Sequence, residues 1–302
     1  MKLFAIATLA VLFHPVPAMA QADEHVIYAS VVDQKGNSVP GLTQKDFIVR
    51  EDGQAREVLL VTTDNEPMQV ALLVDNSVEM RNRLADLRRG MTAFVAALRP
   101  GIQLSLITLA ERPTIVVPYT GDKAVLQKGI DRVITYTAGN YLLDGIAEVS
   151  QGLAKRPTTP RSAIAVVTGR GPEYSYRDYT DVLRIVRESG TPALHVVLVG
   201  AVDLSEEFAD RAVSVYDGPR DDRGGTDRDM VLGRLTKETG GRYEEVLSTS
   251  AIALKLQQMA TELSTQYRVT FARPSRLIPP KTTEISARDR KLKARGMLSK
   301  DK

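Results

Sequence analysis

The sequence predicts an α/β fold, a doubly wound and mostly parallel sheet joined to a small β unit made by the N- and C-terminal segments. Three observations carry this reading. Near-continuous apolar runs such as "MQVALLVDN" and "SAIAVVTG" have the pattern of strands covered on both faces. Segments of helical period alternate with those runs, which implies crossover units and a parallel sheet. Strand-like segments with turn residues between them precede Pro67 and return beyond Tyr267, and each set is too short to stand alone.

The first segment is set apart from the fold. "MKLFAIATLAVLFHPVPAMA" has Lys2, an apolar stretch from Leu3 to Phe13 and an Ala18-Met19-Ala20 end, the layout of a secretory signal cleaved after Ala20. Its apolar run is shorter than the roughly 20 residues of a spanning helix. No later stretch is long enough to span, so the mature chain is expected to be periplasmic or secreted, with no transmembrane segment. The absence of cysteine removes disulfides, thiol catalysis and cysteine metal sites together. Removing the signal takes Lys2 with it and lowers the formal charge from +3 to +2, which gives no support to nucleic-acid binding. The basic residues gather in "RDRKLKARGMLSKDK", which reads as a solvated end.

Residues 21–66 form the N-terminal β segment, with turns at Gly36-Asn37 and Asp52-Gly53. The α/β domain is expected over 67–266. Its first buried strand leads to a helix on which Leu84, Leu87, Met91, Phe94, Val95 and Leu98 share a face, stopped by Pro100-Gly101. "IQLSLITLA" and "TIVVPYT" read as a hairpin across Arg112-Pro113. "DKAVLQKGIDRVI" and "LLDGIAEVSQGLAK" read as helices, then "SAIAVVTG" as a strand, "YTDVLRIVRES" as a helix and "PALHVVLVG" as a strand. "MVLGRLTKETGG" is a helix closed by Gly240-Gly241, "RYEEV" a strand and "SAIALKLQQMATELSTQ" the last helix. Residues 267–302 hold the C-terminal β segment, "YRVTF" and "KTTEISA", and the basic tail.

In open α/β sheets ligands bind beyond the carboxyl ends of the strands, so the loops on that rim are the candidate site. They include "DNSVE" after the first domain strand, "YTAGNYLLDG" before a helix and "TGRGPEYSYRD" after "AIAVV". With "VVDQKGNSVPGLTQKDFIVREDG" ahead of "ALLVDNS", and "GRLTKETGGRYEEV" and "STQYRVTF" behind, the chain resembles the von Willebrand factor type A fold. It is most similar to an exported bacterial group with a short β segment before the domain. The resemblance covers roughly Pro67 to Gln266. It implies a rim that binds protein ligands through magnesium, held by an Asp-x-Ser-x-Ser run, a Thr and an Asp from three loops.

This sequence departs from that pattern. Asp75 and Ser77 match the first two positions of the run, and the third is Glu79. Asn140 stands for the Thr when Leu143-Asp144-Gly145-Ile146 is taken as the helix start, and "AVVTGRG" offers Gly169 and Arg170 in place of the Asp. Asp75, Ser77 and Asn140 remain as oxygen donors of a degenerate Mg2+ site, although a lost carboxylate and a gained cation both argue against a bound metal. Arg170 is expected to take over the ion's charge role beside Asp75, with Arg81 as the second choice, and Asp75 and Ser77 also to cap the following helix. Glu79, Arg170 and Asp144 are the candidate partner-binding or charge-replacing residues of the rim.

His195 in "PALHVVLV" reads as a satisfied core histidine, since no second His or Cys lies near it. The stretch Asp217 to Asp229 interleaves acids with Arg220, Arg223 and Arg228, which suits a mobile, solvated loop better than a calcium loop. No catalytic constellation stands out, so the protein is expected not to be an enzyme. The function expected is an exported module that binds another envelope or extracellular protein through the rim. The alternative is an envelope scaffold whose rim is inert and whose β unit or tail makes the contacts.

Overall fold

The computed structural model describes residues 22–156, 161–200, 223–274 and 278–298. The signal segment expected over 1–20 lies outside them. None of the described helices is long and apolar enough to cross a membrane.

The central sheet has six strands in the order β10-β9-β8-β5-β6-β7. These are β5 (Met68–Val74), β6 (Ile102–Thr108), β7 (Thr114–Thr120), β8 (Ser162–Gly169), β9 (Ala193–Val199) and β10 (Tyr243–Val246). All pairings are parallel except β6 with β7, which form the hairpin expected from the sequence. Every residue of β5 and of β9 is buried, because helices cover both faces. On one face lie α1 (Leu84–Ala97), α2 (Lys123–Arg132) and α6 (Ala251–Ser264), through Leu87, Met91, Phe94, Leu126, Leu256 and Met259. On the other lie α3 (Leu142–Ala154), α4 (Tyr179–Glu188) and α5 (Arg223–Glu238), through Leu143, Ile146, Val182, Val186, Leu232 and Leu235.

Both chain ends complete the β unit. One sheet runs β13-β1-β11-β4, with β1 (Ala22–Val32), β4 (Val58–Thr63), β11 (Tyr267–Pro274) and β13 (Lys293–Leu298). The other runs β12-β2-β3, with β2 (Phe47–Glu51), β3 (Gln54–Arg56) and β12 (Thr283–Ala287). Ile27, Phe47, Val49, Tyr267, Val269 and Phe271 form the core between them. The basic tail is not a solvated end as far as Leu298. Residues 293–298 pair with β1, and Arg295 reaches the buried Glu262 at 2.9 Å. In "KARGML" the small Ala294 and Gly296 alternate with the long Lys293, Arg295 and Met297, a period-2 pattern that the charges concealed.

The β unit meets the domain beside the starts of the parallel strands, away from the rim. Arg242, one residue before β10, donates to Gly36 O at 3.1 Å and to Glu262 at 3.3 Å. Arg161, just before β8, pairs with the buried Asp64 and lies 4.3 Å above the Tyr28 ring. Gly240, at φ +66, abuts the backbone of Gly296 so closely that a Cβ would overlap its carbonyl oxygen.

His195 faces this charged layer. It is buried as expected, yet neither ring nitrogen has a hydrogen-bond partner among the described residues. Burial lowers its pKa from 6.5 to about 4, while Glu262 opposes the shift and Arg295 and Arg242 reinforce it. The unfolded chain takes up this proton as pH falls through 6.5 and the folded chain does so only near 4, so stability drops between those values. A shift of this size corresponds to about 3 kcal/mol. His195→Leu, which leaves no partner stranded, should remove that share of the acid sensitivity. Urea unfolding at pH 7 and pH 4.5 tests this, and equal pH dependence in both proteins counts against it.

The acid- and arginine-rich stretch also differs from expectation. Residues 217–222 lie outside the described residues, but Arg223–Asp229 opens α5 as helix. Arg228 is buried there and donates to Gly171 O at 2.6 Å.

Candidate functional site

The C-terminal ends of β5 and β8 deliver the site. Asp75 follows β5 directly and is 1% exposed. Its Oδ1 accepts the Ser77 N–H at 2.9 Å. Its Oδ2 accepts from Gly169 N–H at 3.0 Å, the Thr168 hydroxyl at 3.1 Å and Asn140 Nδ2 at 3.3 Å. A carboxylate has about four lone-pair sites, so four protein donors leave it well satisfied. The Asn140 amide also donates to Thr168 Oγ1 at 2.9 Å, while its Oδ1 has no partner among the described residues. The amide orientation follows from charge, since only its donor end can face a carboxylate.

Arg170 does not pair with Asp75. Its guanidinium turns outward to Glu245, at 2.8 and 3.2 Å, and to Asp229 at 3.5 Å. The reason is local: neutral donors from the protein already fill Asp75, so a cation gains more from the acids of β10 and α5. Arg81, the second choice, donates to Thr137 Oγ1 instead. Glu79 pairs with Arg83 at 3.2 Å, one helical turn on. Ser77 occupies the N-cap of the 3-10 turn Val78–Arg83 with no side-chain cap bond; the Asp75 carboxylate instead holds the Ser77 N–H. Asp144 is buried in the first turn of α3, where it accepts Tyr176 N–H at 3.0 Å and Arg177 at 2.6 Å. Its carboxylate anchors the third loop to the start of α3.

Several residues that hold the rim together gave little sign in the sequence. Asn76 ties three segments together, accepting from Leu109 and Ala110 N–H and donating to Ile134 O. It is the "N" of "DNS", and only the approach of β6 reveals its use. Thr168 ends β8 with its hydroxyl on Asp75. Glu173 takes the Ser175 N–H and hydroxyl at 3.1 and 2.5 Å beside the first turn of α3, and burial pushes its pKa up to about 7. Tyr174 and Tyr176 lie 6.4 and 6.1 Å from the Tyr141 ring, and Tyr176 is 90% exposed.

Residues 70–172 match the von Willebrand factor type A domain family. Over that stretch, about a third of its length, the chain is similar to type A domains. The matched stretch runs from β5 into the loop after β8, and so contains Asp75, Asn140 and Gly169. No curated protein matches the chain. Among solved structures, the chain is similar to an aerotolerance-related membrane protein from Bacteroides fragilis, at 16% identity and TM-score 0.44, over 65% of this chain and 99% of that one. It is similar to a von Willebrand factor type A protein from Catenulispora acidiphila, at 11% identity and TM-score 0.48, over 94% and 74%. Proximal thread matrix protein 1 from the mussel byssus, with zinc occupied MIDAS motif, is similar at 14% identity and TM-score 0.49, over 71% and 49%.

The similarity to type A domains implies a divalent cation at this rim, and the described residues do not fit one. No group of three or more His, Cys, Asp or Glu among the described residues is placed to hold a metal. Three hydrogens point at Asp75 Oδ2, the direction from which a cation would approach. Beside it, Asn140 Oδ1 has no partner among the described residues, and it is neutral. A Cβ on Gly169 would stand 3.2 Å from Glu79 Cγ, so the Glu79 side chain crowds the place where the third loop would carry its acid.

Proposed function

We propose that this is an exported, non-enzymatic protein-binding module whose type A rim contacts another envelope or extracellular protein. The observation that carries the reading is the surface around Arg170. Glu245 and Asp229 hold its guanidinium in a half-exposed fork, and Tyr243, Met230 and Leu247, all exposed, lie on the same two elements or just beyond them. Arginine and aromatic side chains in fixed positions beside apolar surface suit protein recognition. The buried Asp75 cluster below serves as the support that keeps the loops in place. Export is consistent with the leader-like first twenty residues.

Arg170→Ala is expected to lower stability by less than about 1 kcal/mol, because its ion pairs are solvent-exposed. The same change, combined with Leu247→Asp, should abolish capture of the partner from an envelope extract by the mature protein. Capture that survives both changes but fails without residues 293–302 would favour the scaffold alternative, in which the β unit makes the contacts.

A further inference from the structure

Asp75 Oδ2, Thr168 Oγ1 and Asn140 Nδ2 form a triangle with sides of 3.1, 2.9 and 3.3 Å. A magnesium ion with bonds of 2.0–2.1 Å spaces adjacent ligands about 2.9–3.0 Å apart. The triangle thus has nearly the dimensions of one face of a coordination octahedron, but one corner is a donor nitrogen. We infer that the Asn140 amide is an internal substitute for the rim cation. Its two protons link the β5 loop to the end of β8, and the Gly169 N–H completes the link. The rim is therefore assembled without metal, and divalent cations do not regulate it. Regulation by cations presupposes the binding function proposed above; the link itself does not.

Two further features support the substitution. The amide bridges two acceptors at once, Asp75 and Thr168, and both are buried. Glu79 packs its methylenes against Gly169 and Gly171, so an acidic side chain on the third loop would have to displace Glu79. The residue at 140, the one at 79 and the glycine at 169 are thus mutually consistent with a closed, neutral-donor cluster. Asn140 acts as a positioning residue.

Asn140→Asp converts the triangle to three oxygens with two carboxylates and supplies what a divalent cation requires. The protein is produced with and without MnCl2, and melting is followed in EDTA, MgCl2 and MnCl2. The parent should melt at one temperature in all three media. Asn140→Asp should melt lower in EDTA by about 5 °C or more, since two close carboxylates repel and one must take up a proton. Mn2+ or Mg2+ should recover at least half of that loss. A cation-dependent rise in the parent overturns the inference. So does an Asn140→Asp protein that responds to cations no more than the parent, or that fails to fold even when made in MnCl2. Partner capture enters none of these readings, so failure of the binding proposal would leave the metal result standing.

Discussion

Asp75→Ala should lower the unfolding free energy by about 3–5 kcal/mol in a urea titration at neutral pH, as expected when a buried acceptor leaves several donors unpaired. The donors are the N–H groups of Ser77 and Gly169, the Thr168 hydroxyl and the Asn140 amide. Alanine offers none of them an acceptor, and the cluster is too enclosed for water to replace all four. Asp75→Asn keeps one carboxamide oxygen and should cost less than Asp75→Ala. A loss below about 1 kcal/mol for alanine would mean that the cluster is solvated and that the carboxylate does not hold the loops.

Ending the chain at Gln266 should have the other large effect. It removes β11, which lies between β1 and β4, and with it Tyr267, Val269 and Phe271 from the β-unit core. Full burial of such side chains contributes about 1.5–3 kcal/mol each. It also removes Arg295 from Glu262 and opens the edges of β1 and β4 to other chains. The truncated protein is expected to melt at least about 10 °C lower or to become insoluble, which calorimetry and sedimentation report. Unchanged melting would show that the two chain ends do not depend on each other.

Much of the fold was legible because burial on two faces leaves a continuous apolar run, and "VALLV", "AIAVV" and "HVVLV" are such runs. The return of β character after Gln266 identified the partner of the N-terminal strands for a different reason: each set of short, half-buried strands was too small to stand alone. The tail strand was not legible. Arg295 read as a solvated charge, and its use depends on Glu262, which lies on a helix 33 residues before it. His195 was placed in the core by its neighbours in sequence, but its lack of hydrogen-bond partners depends on which side chains surround it.

At the rim, the resemblance to type A domains marked Glu79, Asn140 and Gly169 as departures from the ligand pattern that it implies. It also placed Asp75, Ser77 and Asn140 at the ends of the right segments. Only the tertiary structure decided what compensates Asp75. Sequence logic paired a lost carboxylate with the arginine beside it, because charge is visible in a string of residues. The actual compensation is made by two backbone N–H groups, a hydroxyl and an amide, and Arg170 points to Glu245, 75 residues away. Backbone donors have no letter in the sequence, and the direction of a side chain is set by the acceptors that folding brings near it.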